Sequence, residues 1–209
     1  MTGKFLTLEG TEGAGKSTNL SFIKAWLTER GIDVITTREP GGTEIGEAVR
    51  GLLLNQAYTE MHADTELLLM FASRAQHLQE KILPALAEGK WVISDRFTDA
   101  SYAYQGGARG MGFERIAEIE QWVQQGTQPD TTFLFDLPIE IGMARVASRG
   151  GETDRFEQEK HDFFKKVRDA YLARADQAPE RYEILDASQS LEAVQAAIVR
   201  RLQSLIDEA

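Results

Sequence analysis

Apolar residues in this chain fall into short β-like runs separated by longer stretches of helical period. Lys4 to Glu9 sets Phe5 and Thr7 against Leu6 and Leu8 in a β-prone run. A glycine-rich turn then leads into Lys16 to Arg30, where Leu20, Ile23, Ala25, Trp26 and Leu27 mark the buried face of a helix that Gly31 stops. Asp33 to Thr37 reads as a strand closed by Pro40-Gly41-Gly42. A helix is predicted from Ala63 to Glu88, with Pro84 disturbing its last turn and Gly89 ending it before the strand Trp91-Val92-Ile93-Ser94. Phe113 to Gln125 predicts a helix stopped at Gly126, and Thr131 to Asp136 a strand. Pro138 suits the first position of the next helix, whose end runs into the polar segment Ser148 to Phe156. A charged helix from Glu157 to Asp176, a strand from Tyr182 to Leu185 and a helix from Leu191 to Ile206 complete the order. Five strands alternating with helices predict an α/β fold, a mainly parallel five-stranded sheet covered on both faces. No repeat, low-complexity tract or linker divides the 209 residues, so a single domain is expected.

With 42% hydrophobic and 27% charged residues, a chain of this length can bury a core without a staple. The absence of cysteine excludes a disulfide framework, a thiolate metal site and a cysteine nucleophile. His62, His77 and His161 do not recur at a metal-ligand spacing, which sets a zinc enzyme aside. Lys and Arg number 23 against 33 Asp and Glu, a net charge of −10 that disfavours a broad footprint on a nucleic-acid polymer or an anionic membrane. An anionic ligand must then be held by a local cationic pocket. The opening Met-Thr-Gly-Lys-Phe-Leu-Thr-Leu-Glu has no long apolar core of a secretory signal, and no run of about 18 apolar residues occurs, so a cytoplasmic protein is expected.

Gly10-Thr11-Glu12-Gly13-Ala14-Gly15-Lys16-Ser17, followed by Thr18, matches G-x-x-x-x-G-K-[ST] between a predicted strand and a predicted helix. Glycines let successive N–H groups turn toward phosphate oxygens, and the helix N-terminus adds partial positive charge. Lys16 would reach the β- and γ-phosphates and the Ser17 hydroxyl would ligate Mg²⁺. A P-loop serves kinases, ATPases and GTPase switches alike. The only asparagines are Asn19 and Asn55, so the Asn-Lys-x-Asp segment of a guanine reader is absent.

Two further loops carry charge beyond the carboxyl ends of predicted strands, where such a sheet places its ligands. Thr37-Arg38-Glu39-Pro40-Gly41-Gly42-Thr43 follows the second strand and Ser94-Asp95-Arg96-Phe97 the third. Asp95 suits a Walker-B-like position near Mg²⁺, and Arg96 could clamp a second phosphate. The alternatives are a strand-end ion pair and a plain turn with Arg38 on solvent.

Taken together, these residues resemble the thymidylate kinase family of bacterial type, P-loop nucleoside monophosphate kinases. The resemblance runs through Phe5 to Gly10 and the P-loop, Thr37 to Thr43, Leu67 to His77 (Leu-Leu-Leu-Met-Phe-Ala-Ser-Arg-Ala-Gln-His), Asp95 to Gly107 and Asp154-Arg155-Phe156-Glu157. It implies a P-loop three-layer fold with a mobile lid, and transfer of the γ-phosphoryl of Mg·ATP to dTMP, giving dTDP and ADP on the way to dTTP. By motif, Glu12 would face the acceptor's sugar hydroxyl, Arg38 and Arg96 would grip the dTMP phosphate, and Asp95 would support Mg²⁺ and the arginines. Phe71 would stack on thymine while Arg74 donates to its carbonyl. Ser101, Tyr104 and Gln105 would line the base and deoxyribose, with Tyr104 crowding a 2′-hydroxyl.

Phe71 and Arg74 are i and i+3 on one helical face, and Ser101, Tyr104 and Gln105 are i, i+3 and i+4 on another, spacings consistent with those roles. Both groups also fit core aromatics beside surface polar residues. The segment Arg145 to Phe156 resembles the family's lid, which implies a catalytic arginine there: Arg155 on the transferred phosphoryl, with Arg149 near the adenine or the phosphates. The acceptor is a phosphate monoester with its second pKa near 6, already largely anionic, so no general base is required. Positioning and charge neutralisation by Lys16, Mg²⁺, Arg38, Arg96 and a lid arginine are the expected means. The resemblance further implies a homodimer, which the apolar runs Leu52-Leu53-Leu54 and Leu67-Leu68-Leu69 permit. The rival readings are a kinase for another nucleoside monophosphate and a non-catalytic nucleotide-binding regulator.

Overall fold

The computed structural model describes residues 3–149, 154–157 and 159–208. Five strands, β1 (Phe5–Glu9), β2 (Val34–Arg38), β3 (Trp91–Asp95), β4 (Thr131–Asp136) and β5 (Tyr182–Asp186), form one sheet in the order β2-β3-β1-β4-β5. All four pairings are parallel, so the sheet is wholly and not merely mainly parallel. β1 is buried throughout and lies at the centre, whereas β2 and β5 at the edges are partly open.

Alternate residues of β1 feed opposite faces, as period two requires. Leu6 and Leu8 join Trp91, Ile93, Phe133 and Phe135 beneath α1 (Lys16–Thr28) and α9 (Leu191–Asp207). On the other face Phe5 packs with Val92 and Phe97 against Leu78 and Ile82. Thr7 on that face meets Thr132 of β4 at 2.9 Å between hydroxyls. Burial on both faces explains why the central strands are nearly all apolar or threonine.

The helix expected from Ala63 to Glu88 exists in three parts: α3 (Ala63–His77), a π-helical turn (Leu78–Ile82) and α4 (Leu83–Ala87). Pro84 cannot donate a backbone hydrogen bond, and the Leu83 amide reaches back to Leu78 O, so the helix continues through a widened turn. A second π-helical segment, Tyr102–Ala108, extends α5 (Thr98–Ser101). Helix α2 (Glu44–Leu54) was not anticipated; Thr43 caps it by accepting from the Gly46 amide, and Glu44 and Glu47 occupy its first turn. α6 (Phe113–Gln124) and α7 (Ile139–Arg149) fall where the pattern placed them, whereas α8 (His161–Gln177) begins later than the expected Glu157, which lies in a turn. The lid residues 150–153 lie outside the described residues.

Helix α8 packs closely on the second π-helical segment, and a Cβ built on Gly107 would stand 2.5 Å from the Ala170 Cβ. Gly107→Ala is therefore expected to destabilise the fold by about 1–3 kcal/mol through overpacking. Urea denaturation reads the change; an unaltered midpoint would mean that this seam is loose.

Candidate active site

The phosphate cradle lies between β1 and α1, at the carboxyl edge of the central strand. Gly13 has φ 75° and an added Cβ would meet Gly142 O of α7 at 2.5 Å, so both its conformation and its space demand glycine. Lys16 Nζ donates to Gly10 O at 3.0 Å and Thr11 O at 2.9 Å, folding the side chain over the loop. Desolvation in the cradle, with Arg96 adding repulsion, pulls its ammonium down to about 8 against the attraction of Asp95, Glu12 and Glu9. The cleft over this loop is lined by Glu12 to Thr18 and by Arg38, Glu39, Arg50, Asp95 and Arg96.

β3 brings Asp95 and Arg96 to this edge in register with Leu8 of β1 and Arg38 of β2. Arg96 adopts φ 69°, a left-handed conformation costly for a residue with a Cβ, and it is held there by its amide to Leu8 O at 3.0 Å and by Ser94 Oγ donating to its carbonyl at 2.7 Å. Its guanidinium donates to Glu12 Oε1 at 2.7 Å, Tyr104 Oη at 3.0 Å and Tyr171 Oη at 2.9 Å. Tyr104 in turn donates to Glu12 at 2.8 Å, and Tyr171 to Glu9 Oε2 at 2.7 Å. Burial would raise the Glu12 carboxyl, but Arg96 and Lys16 outweigh it and keep it ionised. Glu9 behaves oppositely: complete burial, then Asp99, push its carboxyl up to about 8.

Asp95 Oδ1 is buried and has no hydrogen-bond partner, and Asp95 lines the cleft together with Ser17. An orphan carboxylate oxygen beside a hydroxyl fits a hard cation that also takes phosphate oxygens. No group of three His, Cys, Asp or Glu among the described residues could hold a metal unaided.

A second cavity opens beside the cradle. Ser101, Tyr104 and Gln105 all line it, as do Arg74, Arg96, Met70, Phe97 and Phe156. Arg74 is 2% exposed; Nε donates to Glu39 Oε2 at 2.7 Å, Nη1 to Ser101 Oγ at 3.2 Å and Nη2 to Phe97 O at 3.1 Å. His77 is fully buried; its Nδ1 donates to Glu39 Oε1 at 2.9 Å and its Nε2 lies 2.6 Å from Thr37 Oγ1.

Two expectations need correction. Phe71 does not line the cavity: it sits in a core cluster with Leu67, Tyr102 and Ile116, and the Arg74 guanidinium covers its ring at 4.5 Å. Met70 faces the cavity instead, because i and i+4 bring Met70 onto the same face as Arg74. Arg155 does not reach the cradle either; its side chain is buried, donating to Leu53 O at 2.9 Å and Glu66 Oε2 at 2.5 Å. Arg38, expected at a phosphate, is 52% exposed, paired with Glu47 at 2.8 Å, and lines the cradle cleft beside Arg50 and Arg96. Arg149 ends α7, and its side chain lies outside the described residues.

The residue overlooked in the sequence is Arg50 of α2, which lines both cavities and donates to Pro40 O at 2.9 Å. Its signal is the Thr43 cap with Glu44 and Glu47 in the first turn of α2.

Because ammonium is the form that attracts ATP, kcat/KM for ATP should fall as pH rises through about 8. Bound phosphates favour the charged form, so kcat should hold to higher pH. A kcat/KM for ATP that stays flat from about pH 7 to 9 would overturn the titration of Lys16.

The family model described as thymidylate kinase matches residues 8–198. A thymidylate kinase of Pseudomonas putida is 60% identical over 207 residues, 99% of this chain and 98% of that protein. One from Chromohalobacter salexigens is 59% identical over 201 residues, covering 96% of this chain and 95% of its own. A third, from Thiobacillus denitrificans, is 59% identical over 205 residues and covers 98% of each. On these matches the chain belongs to the thymidylate kinase family, and it is an enzyme.

Proposed function

We propose that this chain transfers the γ-phosphoryl group of ATP, bound with Mg²⁺, to the phosphate of dTMP, giving dTDP and ADP for dTTP synthesis. The observation that carries the reading is the meeting of the two cavities. Among the described residues, Arg50 and Arg96 are the cations that line both the cradle cleft and the second cavity. A donor in the first and an acceptor in the second would bring their phosphates together at these two guanidinia.

An acceptor phosphate oxygen attacks the γ-phosphorus, the bond to the β–γ bridging oxygen breaks, and ADP leaves. The acceptor needs no base, so the work of the protein is to hold two anions in line and neutralise them. Lys16 takes the donor phosphates, while Arg96 and Arg50 face the acceptor phosphate. Arg38, at the open side of the cleft, serves the phosphates from the donor side rather than the acceptor cavity. Ser17 and Asp95 would hold Mg²⁺, which when bound supplies counter-charge to the donor phosphates. Glu12 keeps lone pairs free for a sugar hydroxyl after taking Arg96 and Tyr104. Arg74, fixed by three partners, retains N–H donors for a base carbonyl, and Met70, Phe97 and Phe156 supply the apolar walls.

The reading includes a cytoplasmic homodimer. No helix among the described residues is long and apolar enough to cross a membrane. Ile45 and Leu52 of α2 and Leu68 of α3 are 56%, 43% and 59% exposed on two helices that pack together, an apolar surface for a second copy. Sedimentation equilibrium decides between monomer and dimer.

ADP release from Mg·ATP with each nucleoside monophosphate offered singly tests the activity. A strong preference for dTMP is expected; preference for another monophosphate would sink the base pocket, and release that ignores the acceptor would favour a regulator. Arg50→Ala should cut kcat/KM for dTMP about 10- to 100-fold, the value of a charge-assisted hydrogen bond, and wild-type kinetics would remove Arg50 from the phosphate site.

A further inference from the structure

Glu66 of α3 is 1% exposed and stands behind the wall of the second cavity. Its Oε2 accepts from Arg155 Nη2 at 2.5 Å and Arg109 Nη2 at 3.3 Å. Its Oε1 accepts from Gln105 Nε2 at 2.8 Å and Arg109 Nε at 3.4 Å. One buried carboxylate thus joins a residue of the 154–157 segment, at the end of the stretch expected to form the lid, to a residue that lines the acceptor cavity.

Each attachment fixes something the site uses. A carboxylate paired with arginines only accepts, so the Gln105 amide must turn its N–H toward Glu66 and keep its carbonyl oxygen available to the cavity. That oxygen would accept from a base N–H and repel a base nitrogen lone pair. Arg155 also donates to Leu53 O, and its amide reaches Leu54 O at 3.4 Å, so the segment is pinned to the end of α2. Its neighbours Asp154 and Phe156 line the cavity, and Phe156 meets Tyr104 edge-on at 5.7 Å between ring centroids. Arg155 is therefore built as an anchor whose flanking residues face the ligand.

We propose that Glu66 is a positioning residue which, through Arg155 and Gln105, ties the 154–157 segment and the base-reading amide to a single carboxylate. The proposal rests on the acceptor reading given above. It moves Arg155 from the transferred phosphoryl group to the assembly of the acceptor cavity, and it makes base choice depend on a residue that touches no ligand.

Glu66→Gln, Arg155→Gln and the double variant test it, with thermal melting to confirm folding and KM for ATP as the internal control. Glu66→Gln should raise KM for dTMP about tenfold or more, from loss of charge-assisted hydrogen bonds. It should leave KM for ATP within about twofold and narrow the kcat/KM ratio of dTMP over dCMP, because the freed amide can turn over. Arg155→Gln should raise KM for dTMP more than it lowers kcat and leave that ratio unchanged, since Glu66 still holds Gln105. The double variant should be no worse than Glu66→Gln, the non-additivity expected of one network. A large kcat loss in Arg155→Gln at unchanged KM for dTMP would overturn the proposal and return Arg155 to the phosphoryl group. So would wild-type KM and ratio in Glu66→Gln. If Glu66→Gln does not fold, Arg155→Gln decides alone, because Arg109 continues to neutralise Glu66. If the wild type prefers another monophosphate, the acceptor reading fails, while the KM split for that acceptor still decides the role of Glu66.

Discussion

A guanidinium has to wait where two polyanions will meet, and the fold keeps the one on Arg96 there by holding it against Glu12. The requirement is severe in a chain of net charge −10, because long-range attraction cannot gather phosphates. Arg96 sits at φ 69°, which costs about 1–2 kcal/mol for a residue with a Cβ. Two hydrogen bonds offset that cost: its amide to Leu8 O, which depends on β3 lying beside β1, and the local Ser94 hydroxyl to its own carbonyl. The strand order thus places the cation, and the strained backbone aims it. Glu12, Tyr104 and Tyr171 then fix the guanidinium, so a phosphate would meet a donor that needs little reorganisation.

The same device recurs at each position where an arginine must point in one direction. Glu39 holds Arg74 from one side, while His77 secures Glu39 from the other. Asp136 takes Arg168, and Asp99 takes Arg181 and Arg174, where no cavity function is in view. Buried ion pairs are weak evidence for stability, since desolvation offsets most of their attraction. Their effect here is directional. A lone arginine with many rotamers becomes a fixed fork, and the few N–H groups left over define what a ligand must accept.

How much of this could be read from the chain depended on the range of the interactions. The P-loop and the five strands were legible because motif, period and turn residues lie within about ten positions of one another. Helix α2 escaped notice because Gly46 and Gly51 weaken a stretch of only 11 residues, and Arg50 was lost with it. Phe71 was the wrong member of a correct face: i+3 and i+4 both satisfy a helical pattern, and only packing showed Met70 to be the one aligned with Arg74. Neither π-helical segment has a local signature beyond Pro84. Glu66 has none at all, since its partners Gln105, Arg109 and Arg155 lie 39, 43 and 89 positions away.

The correction at Arg155 bears on how catalysis can be divided in such a site. An arginine near a lid invites a role on the transferred phosphoryl, because charge is what that group needs. Charge already stands in the cradle cleft, in Lys16 and Arg38, and at its junction with the second cavity, in Arg50 and Arg96. A further cation there would add repulsion to the one already acting on Lys16 and Arg50. In the described state Arg155 spends its charge on Glu66, away from the junction, and what it contributes is the position of Asp154 and Phe156.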